Sequence, residues 1–216
     1  MTYDQRASSD ATVAEDQAST NYGSSTNLHM GEWSDGDVLE AYVNFDLSTL
    51  PSHAGINSAT FSLWQYDDSN DWQVPTVEFA VEMCGSSWTE GGITWSSKPA
   101  NAAGTPQAVH NVQGEDTQHQ WNVKTHIEKV VNGDITWNGF RVRYTGTSSS
   151  TMKYFRSRDY ATSTVRPQLV IDYTQVGMQA KVSGSWESCL AHAKVSGSWE
   201  LCKSHINDNG TWKQTK

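Results

Sequence analysis

Arg141, Arg143, Lys153, Arg156 and Arg158 place five of the chain's 15 positive charges within eighteen residues, and Asp159 is the one acid beside them. Arginine forks bind carboxylates and sulfates through paired hydrogen bonds, and a tyrosine such as Tyr154 can stack on a sugar ring. The chemistry this spacing offers is an acidic-glycan site built from Arg141, Arg143, Tyr154, Arg156 and Arg158. An internal reading stands beside it, in which Arg156 or Arg158 pairs with the protein's own acids, Asp46 or Glu90 among them. Trp64 and Tyr66 fall on one side of a strand-like stretch, with Trp72 in the loop after it. Exposed coplanar aromatics form a platform for sugars, whereas a sandwich packed on both faces would bury them.

Other chemistry is sparse. Asp67-Asp68-Ser69-Asn70-Asp71 gathers hard oxygen ligands, and calcium needs six to eight of these. The run lacks the glycine and distal glutamate of an EF-hand loop, so it reads as a solvated acidic turn, and no resident metal or cofactor is expected. Asp10, near Asn21-Tyr22-Gly23, is a second calcium candidate of the same standing. HExxH, GxSxG and phosphate-loop patterns are absent, and outward acids on a polar strand explain Glu78 and Glu82 better than a glycosidase pair does. The chain reads as a non-enzyme.

The elements that must position these residues are strands. Apolar residues alternate at Leu39, Ala41, Val43 and Phe45; at Ala59, Phe61 and Leu63; and at Val77, Phe79, Val81 and Met83. A period of two sends successive side chains to opposite faces, as a half-buried strand requires. Further strands are expected at Gly139 to Tyr144, Met152 to Ser157 and Gln168 to Tyr173, so Phe140, Val142 and Tyr144 face inward and Arg141 and Arg143 outward. Ser34-Asp35-Gly36-Asp37 suits a primed hairpin turn. Lys124 to Asn132 spaces Ile127, Val130 and Val131 as a short helix ending at Gly133. The fold class is all-β, a sandwich with one short helix.

After Tyr173 the character changes. Ala180-Lys-Val-Ser-Gly-Ser-Trp186-Glu recurs as Ala193-Lys-Val-Ser-Gly-Ser-Trp199-Glu and, degraded, as Ile206-Asn-Asp-Asn-Gly-Thr-Trp212-Lys, a unit of thirteen residues. Cys189 and Cys202, like His192 and His205, hold equivalent places in two copies, so duplication explains their spacing before metal chemistry does. Each unit can make a small hairpin but buries too little alone. The expected division is a head at 1–174 and a tail at 175–216 for attachment or oligomerisation, with Trp186, Trp199 and Trp212 as partner-binding anchors.

Composition bounds the partners. The 216 residues carry a net charge of −9 and a mean hydropathy of −0.62. Residues 1–97 hold 15 acids against one base. A pI near 5.1 argues against nucleic acid as the main ligand. No run is long enough for a membrane span and the first residues lack the pattern of an export signal, so assembly inside a cell is expected. Three cysteines are too few and too oddly placed for a disulfide framework.

Asn21-Tyr22-Gly23, Phe45-Asp46-Leu47-Ser48, Ala59-Thr60-Phe61, Trp88-Thr89-Glu90, Thr94-Trp95, Phe155-Arg156-Ser157-Arg158-Asp159 and Pro167-Gln168-Leu169 occur in an order that resembles the DNRLRE-type domain family. That resemblance implies a jelly-roll β-sandwich and a non-catalytic module of cell-surface and polysaccharide-degrading proteins, some of which bind acidic polysaccharides such as alginate. It also implies structural roles for Trp88 and Trp95. Asp159 departs from the family's usual glutamate. The tail resembles the Gly-x-Trp-Lys repeats at the C-termini of bacteriophage structural proteins, with Glu for Lys in two copies. Together these imply a virion surface protein, homo-oligomeric and attached to other virion proteins by its tail. The alternative is an extracellular polysaccharide-binding module of a glycan-degrading system.

Overall fold

The computed structural model describes residues 1–66, 76–105, 107–114, 116–148 and 150–174, and beyond these the backbone of six strands between 178 and 214. The chain runs through β1 (Thr2–Arg6), β2 (Ser9–Ala14), β3 (Asn27–Glu32), β4 (Val38–Asn44), β5 (Gly55–Gln65), β6 (Val77–Met83), β7 (Ala108–Val112) and β8 (Thr117–Asn122). Then come α1 (Lys124–Val131), β9 (Phe140–Tyr144), β10 (Lys153–Arg156), a 3-10 turn at Ser163–Val165 and β11 (Gln168–Thr174).

These strands form an all-β sandwich of jelly-roll type, antiparallel throughout. One layer centres on β5, which pairs β8 along one edge and β11, then β10, along the other; β1 closes on β11 and β3 on β10. The other layer runs β2, β4, β9, β6, β7. Strand β3 joins the two, because its far end, Gly31 and Glu32, pairs with Leu39 and Val38 of β4. Gly31 makes that bend at φ +127°, and a Cβ there would meet the Thr151 carbonyl at 2.5 Å.

Alternation decides what lies between the layers. Ala59, Phe61 and Leu63 of β5 face Val77, Phe79, Val81 and Met83 of β6 and Phe140 and Val142 of β9, all at most 2% exposed. Phe61 sits among Phe45, Phe140 and Trp121, with ring centres 5.3 to 5.9 Å away. Tyr144 and Tyr173 pack against this core only in part. The helix buries Ile127 and Val131, and Gly133 terminates it at φ +75° by donating its N–H to the Val130 carbonyl. The hairpin after β3 differs from the primed turn expected. Gly36 takes φ +97° while Asp35 keeps φ below zero, and Gly36 N–H donates to the Trp33 carbonyl. Among the described residues no helix is long and apolar enough to cross a membrane.

The outer face of the second layer is not open. A segment carrying Trp88, Ile93, Trp95 and Lys98 packs over Ala11, Val13, Tyr42 and the free, buried Cys84. Asn21 anchors it by donating to the carbonyls of Glu90 and Ile93, each at 2.7 Å, and by accepting from Gly23 N–H. This explains Asn21-Tyr22-Gly23, because a Cβ on Gly23 would lie 2.2 Å from the Glu90 carbonyl oxygen. Gly23→Ala should therefore cost at least about 1 kcal/mol, read as a lowered calorimetric melting temperature. An unchanged value would show that the loop yields freely.

The tail consists of three two-stranded hairpins: β12 (Met178–Val182) with β13 (Ser185–Cys189), β14 (His192–Val195) with β15 (Ser198–Leu201), and β16 (His205–Asp208) with β17 (Thr211–Gln214). Trp186, Trp199 and Trp212 occupy the same register, opposite Lys181, Lys194 and Asn207. Their side chains lie outside the described residues.

Candidate functional site

Arg141 and Arg143 point away from the core, as alternation requires, but their guanidinium groups are occupied. Arg141 donates to both carboxylate oxygens of Glu40, from Nε at 2.9 Å and from Nη2, and Nη1 lies 3.5 Å from Glu82. Arg143 donates twice to Glu82, at 3.1 and 2.9 Å. Lys98 reaches Glu40 at 3.0 Å and sits over the Trp95 ring. Burial opposes charge on Glu40, yet Arg141 and Lys98 outweigh it and hold the carboxyl below its ordinary range. These acids come from the same sheet face, where Tyr42 pairs Arg141, and Glu82 pairs Arg141, across adjacent strands.

Arg158 is likewise engaged inside. Its Nε lies 3.0 Å from Glu90, Nη1 donates to the Ser8 carbonyl at 2.6 Å and Nη2 lies 3.4 Å from Asp159. This is the internal pairing weighed for it, with Glu90. Asp10, the second calcium candidate, is 1% exposed and accepts the Arg158 backbone N–H at 2.7 Å. Among the described residues no cluster of three metal-ligating side chains occurs. The Asp67 to Asp71 loop and Trp72 lie outside the described residues. Lys153 is buried.

Arg156 is different. Its Nη1 donates to Asn27 Oδ1 at 3.0 Å, and among the described residues no carboxylate pairs with it. The guanidinium carbon lies 3.7 Å from the centre of the Tyr66 ring and 4.0 Å from that of Tyr160, so two aromatic faces hold the fork. Stacking of this kind leaves the N–H edges free to address a ligand. Phe155 opposite Gln65 faces the core, so Tyr154 and Arg156 face out, and Tyr66 N–H donates to the Tyr154 carbonyl. Trp64 shares that outward parity and is half-buried. Across β3, Tyr154 stands opposite His29 and Arg156 opposite Asn27. The Tyr154 ring meets His29 edge-on at 4.9 Å and Tyr66 at 6.2 Å.

Four of the residues singled out in the sequence thus meet on one face, Trp64, Tyr66, Tyr154 and Arg156, while Arg141, Arg143 and Arg158 lie elsewhere in ion pairs. Tyr160 and Asn27 complete the face and were missed. Tyr160 follows the Arg158-Asp159 motif in a turn, where a period of two carries no information; Asn27 opens a strand whose alternation is only two apolar residues long, Leu28 and Met30, before Gly31.

Beyond Asn27 and His29 the face continues into a groove of about 330 Å³, walled by Thr12, Asp16, Gln17, Tyr22, Trp33 and Leu39 among others. Trp88 and Trp95 keep the structural roles the resemblance implied, the first donating to the Asn138 carbonyl and standing edge-on to Tyr42.

A family model, carbohydrate-binding module family 96, matches residues 1–173. No curated protein matches the chain.

Proposed function

The chain belongs to carbohydrate-binding module family 96, and from that premise we propose that its head binds an acidic polysaccharide across the outer face of β3, β10 and β5, without catalysis. The observation that carries this is Arg156, held between Tyr66 and Tyr160 and paired among the described residues with Asn27 alone. A guanidinium fixed in this way presents donors to a uronate carboxylate at little further entropy cost, and Trp64 and Tyr154 extend an aromatic surface for the sugar rings. A module of this family type binds and does not cleave, which fits the absence of catalytic motifs.

Arg156→Ala should weaken binding to a uronate polymer about tenfold or more, the worth of one charge-assisted contact. Tyr160→Ala should weaken it less, by loosening the fork. Isothermal titration at low and high salt reads both, with wild-type affinity falling as salt rises. Unaltered affinity in Arg156→Ala removes the face as the site.

The same reading assigns the tail to attachment and self-association in a virion surface protein. What supports it is the resemblance of the repeats together with three hairpins of one register, each too small to stand alone. Light scattering should find the full chain oligomeric and a version ending at Thr174 monomeric. A monomeric full chain overturns the assignment and favours the extracellular module.

A further inference from the structure

The groove next to Arg156 differs from it in charge and in wall chemistry. It falls at the small end of ligand pockets, which span about 300–1,000 Å³. One side is apolar and aromatic, with Tyr22 packed on Ala14 and Leu39, and with Trp33 left 39% exposed. Asp16 and Gln17 also line the groove, while the Thr12 hydroxyl is engaged with the His29 backbone, accepting its N–H at 2.9 Å. A carboxylate accepts from hydroxyls, a carboxamide both donates and accepts, and an indole covers the C–H face of a pyranose.

Charge excludes one class of sugar. Among the described residues no Lys or Arg lines the groove. Asp16 stands within reach of further acids: the Asp37 carboxyl is held above its ordinary value by desolvation and then by Asp35, Asp16 and Glu15. A uronate entering here would meet like charge. Arg156, by contrast, offers the positive end. Two residues join the compartments, since Asn27 walls the groove and binds Arg156, and His29 walls it and meets the Tyr154 ring.

We infer that the Trp33 groove takes an uncharged sugar of the same chain whose uronate Arg156 holds, so the head selects a mixed polymer, uronate flanked by neutral residues, over a uniform polyuronate. This rests on the assignment of Arg156 above. The groove adds the discrimination: stacking and hydroxyl contacts for the neutral ring, repulsion for a second carboxylate.

The test titrates the full chain with deacylated gellan, whose repeat holds one glucuronate among neutral sugars, and with polygalacturonate, charged at every residue. Gellan should bind about tenfold more tightly. Trp33→Ala should reduce gellan affinity about tenfold, leave polygalacturonate unchanged and leave the melting curve in place. Asp16→Asn should narrow the preference by admitting polygalacturonate. Arg156→Ala should weaken both polymers. Polygalacturonate binding as tightly as gellan, or Trp33→Ala without effect on gellan, overturns the inference while Arg156 keeps its role. If Trp33→Ala acts and Arg156→Ala does not, the Arg156 assignment fails instead. Absence of binding to both polymers overturns the two together.

Discussion

Arg141→Ala is expected to destabilise the head by about 3–5 kcal/mol, a fall in melting temperature on the order of 10 °C for a domain of this size. Removing this side chain strands Glu40, whose side chain is 4% exposed, and takes one of two arginines from Glu82, at 8%. Lys98 and the Tyr42 hydroxyl, which donates at 3.2 Å, remain on Glu40, both at Oε2, so Oε1 is left without its arginine. A buried carboxylate that loses a bidentate partner regains no water in exchange, so the desolvation it suffered on folding goes uncompensated. Arg141→Met keeps most of the volume and should cost nearly as much, which separates the charge effect from packing. Differential scanning calorimetry measures both. At low temperature, where the variant stays folded, its glycan affinity should equal that of the wild type, because the guanidinium is already taken. A loss below about 1 kcal/mol would place these pairs with solvent-screened surface bridges and return Arg141 to the list of ligand contacts.

The contrast between Arg141 and Arg156 marks how far the sequence was legible. Alternation correctly gave the inward faces of β4, β5, β6 and β9, since burial of one face forbids a register slip, and it gave the outward sense of Arg141 and Arg143. What outward means depends on what covers the sheet. The covering segment, with Trp88, Trp95 and Lys98, comes from between β6 and β7 and has no periodicity of its own. Strands β1, β2, β3, β7 and β8 also went unread. Thr117–Asn122 buries only His119 and Trp121 through four polar neighbours, and Thr2–Arg6 buries Tyr3 alone. The groove was beyond reach for a related reason: Asp16, Tyr22 and Trp33 lie in connections between strands, and only the paired backbones of β2, β3 and β4 bring them to one groove. That Arg156 meets Asn27 and no carboxylate among the described residues is a statement about three dimensions, set by Asn27 opposite it and Tyr160 four residues on.

Stability should fall between pH 6.5 and 8 because of one carboxyl far from the glycan face. Burial first, and then the charges of Glu90 and Asp159, push Asp10 from 3.8 up to about 8, against the opposing pull of the Arg158 N–H and guanidinium. The folded chain therefore keeps a proton on Asp10 that the unfolded chain releases near pH 4, and stability from this group is full below that pH and lost as pH rises to 8. His119 acts in the opposite sense. Burial, His110 and Lys153 lower it from 6.5 to about 4, while it bonds Gln65 and His110 through its two ring nitrogens. Between pH 4 and 6.5 the folded state holds one proton more at Asp10 and one fewer at His119, so the two slopes cancel. Above 6.5 His119 is neutral in both states and the Asp10 slope is no longer offset by it, giving a loss of about 1.4 kcal/mol per pH unit, about 2 kcal/mol by pH 8. Asp10→Asn keeps an oxygen for the Arg158 N–H and has no proton to lose, so its profile should stay flat from 6.5 to 8.5 and rise above the wild type at pH 9. Chemical denaturation across that range measures both proteins. A flat wild-type curve would mean that Asp10 is ionised in the folded chain, with Arg158 rather than a proton balancing its charge.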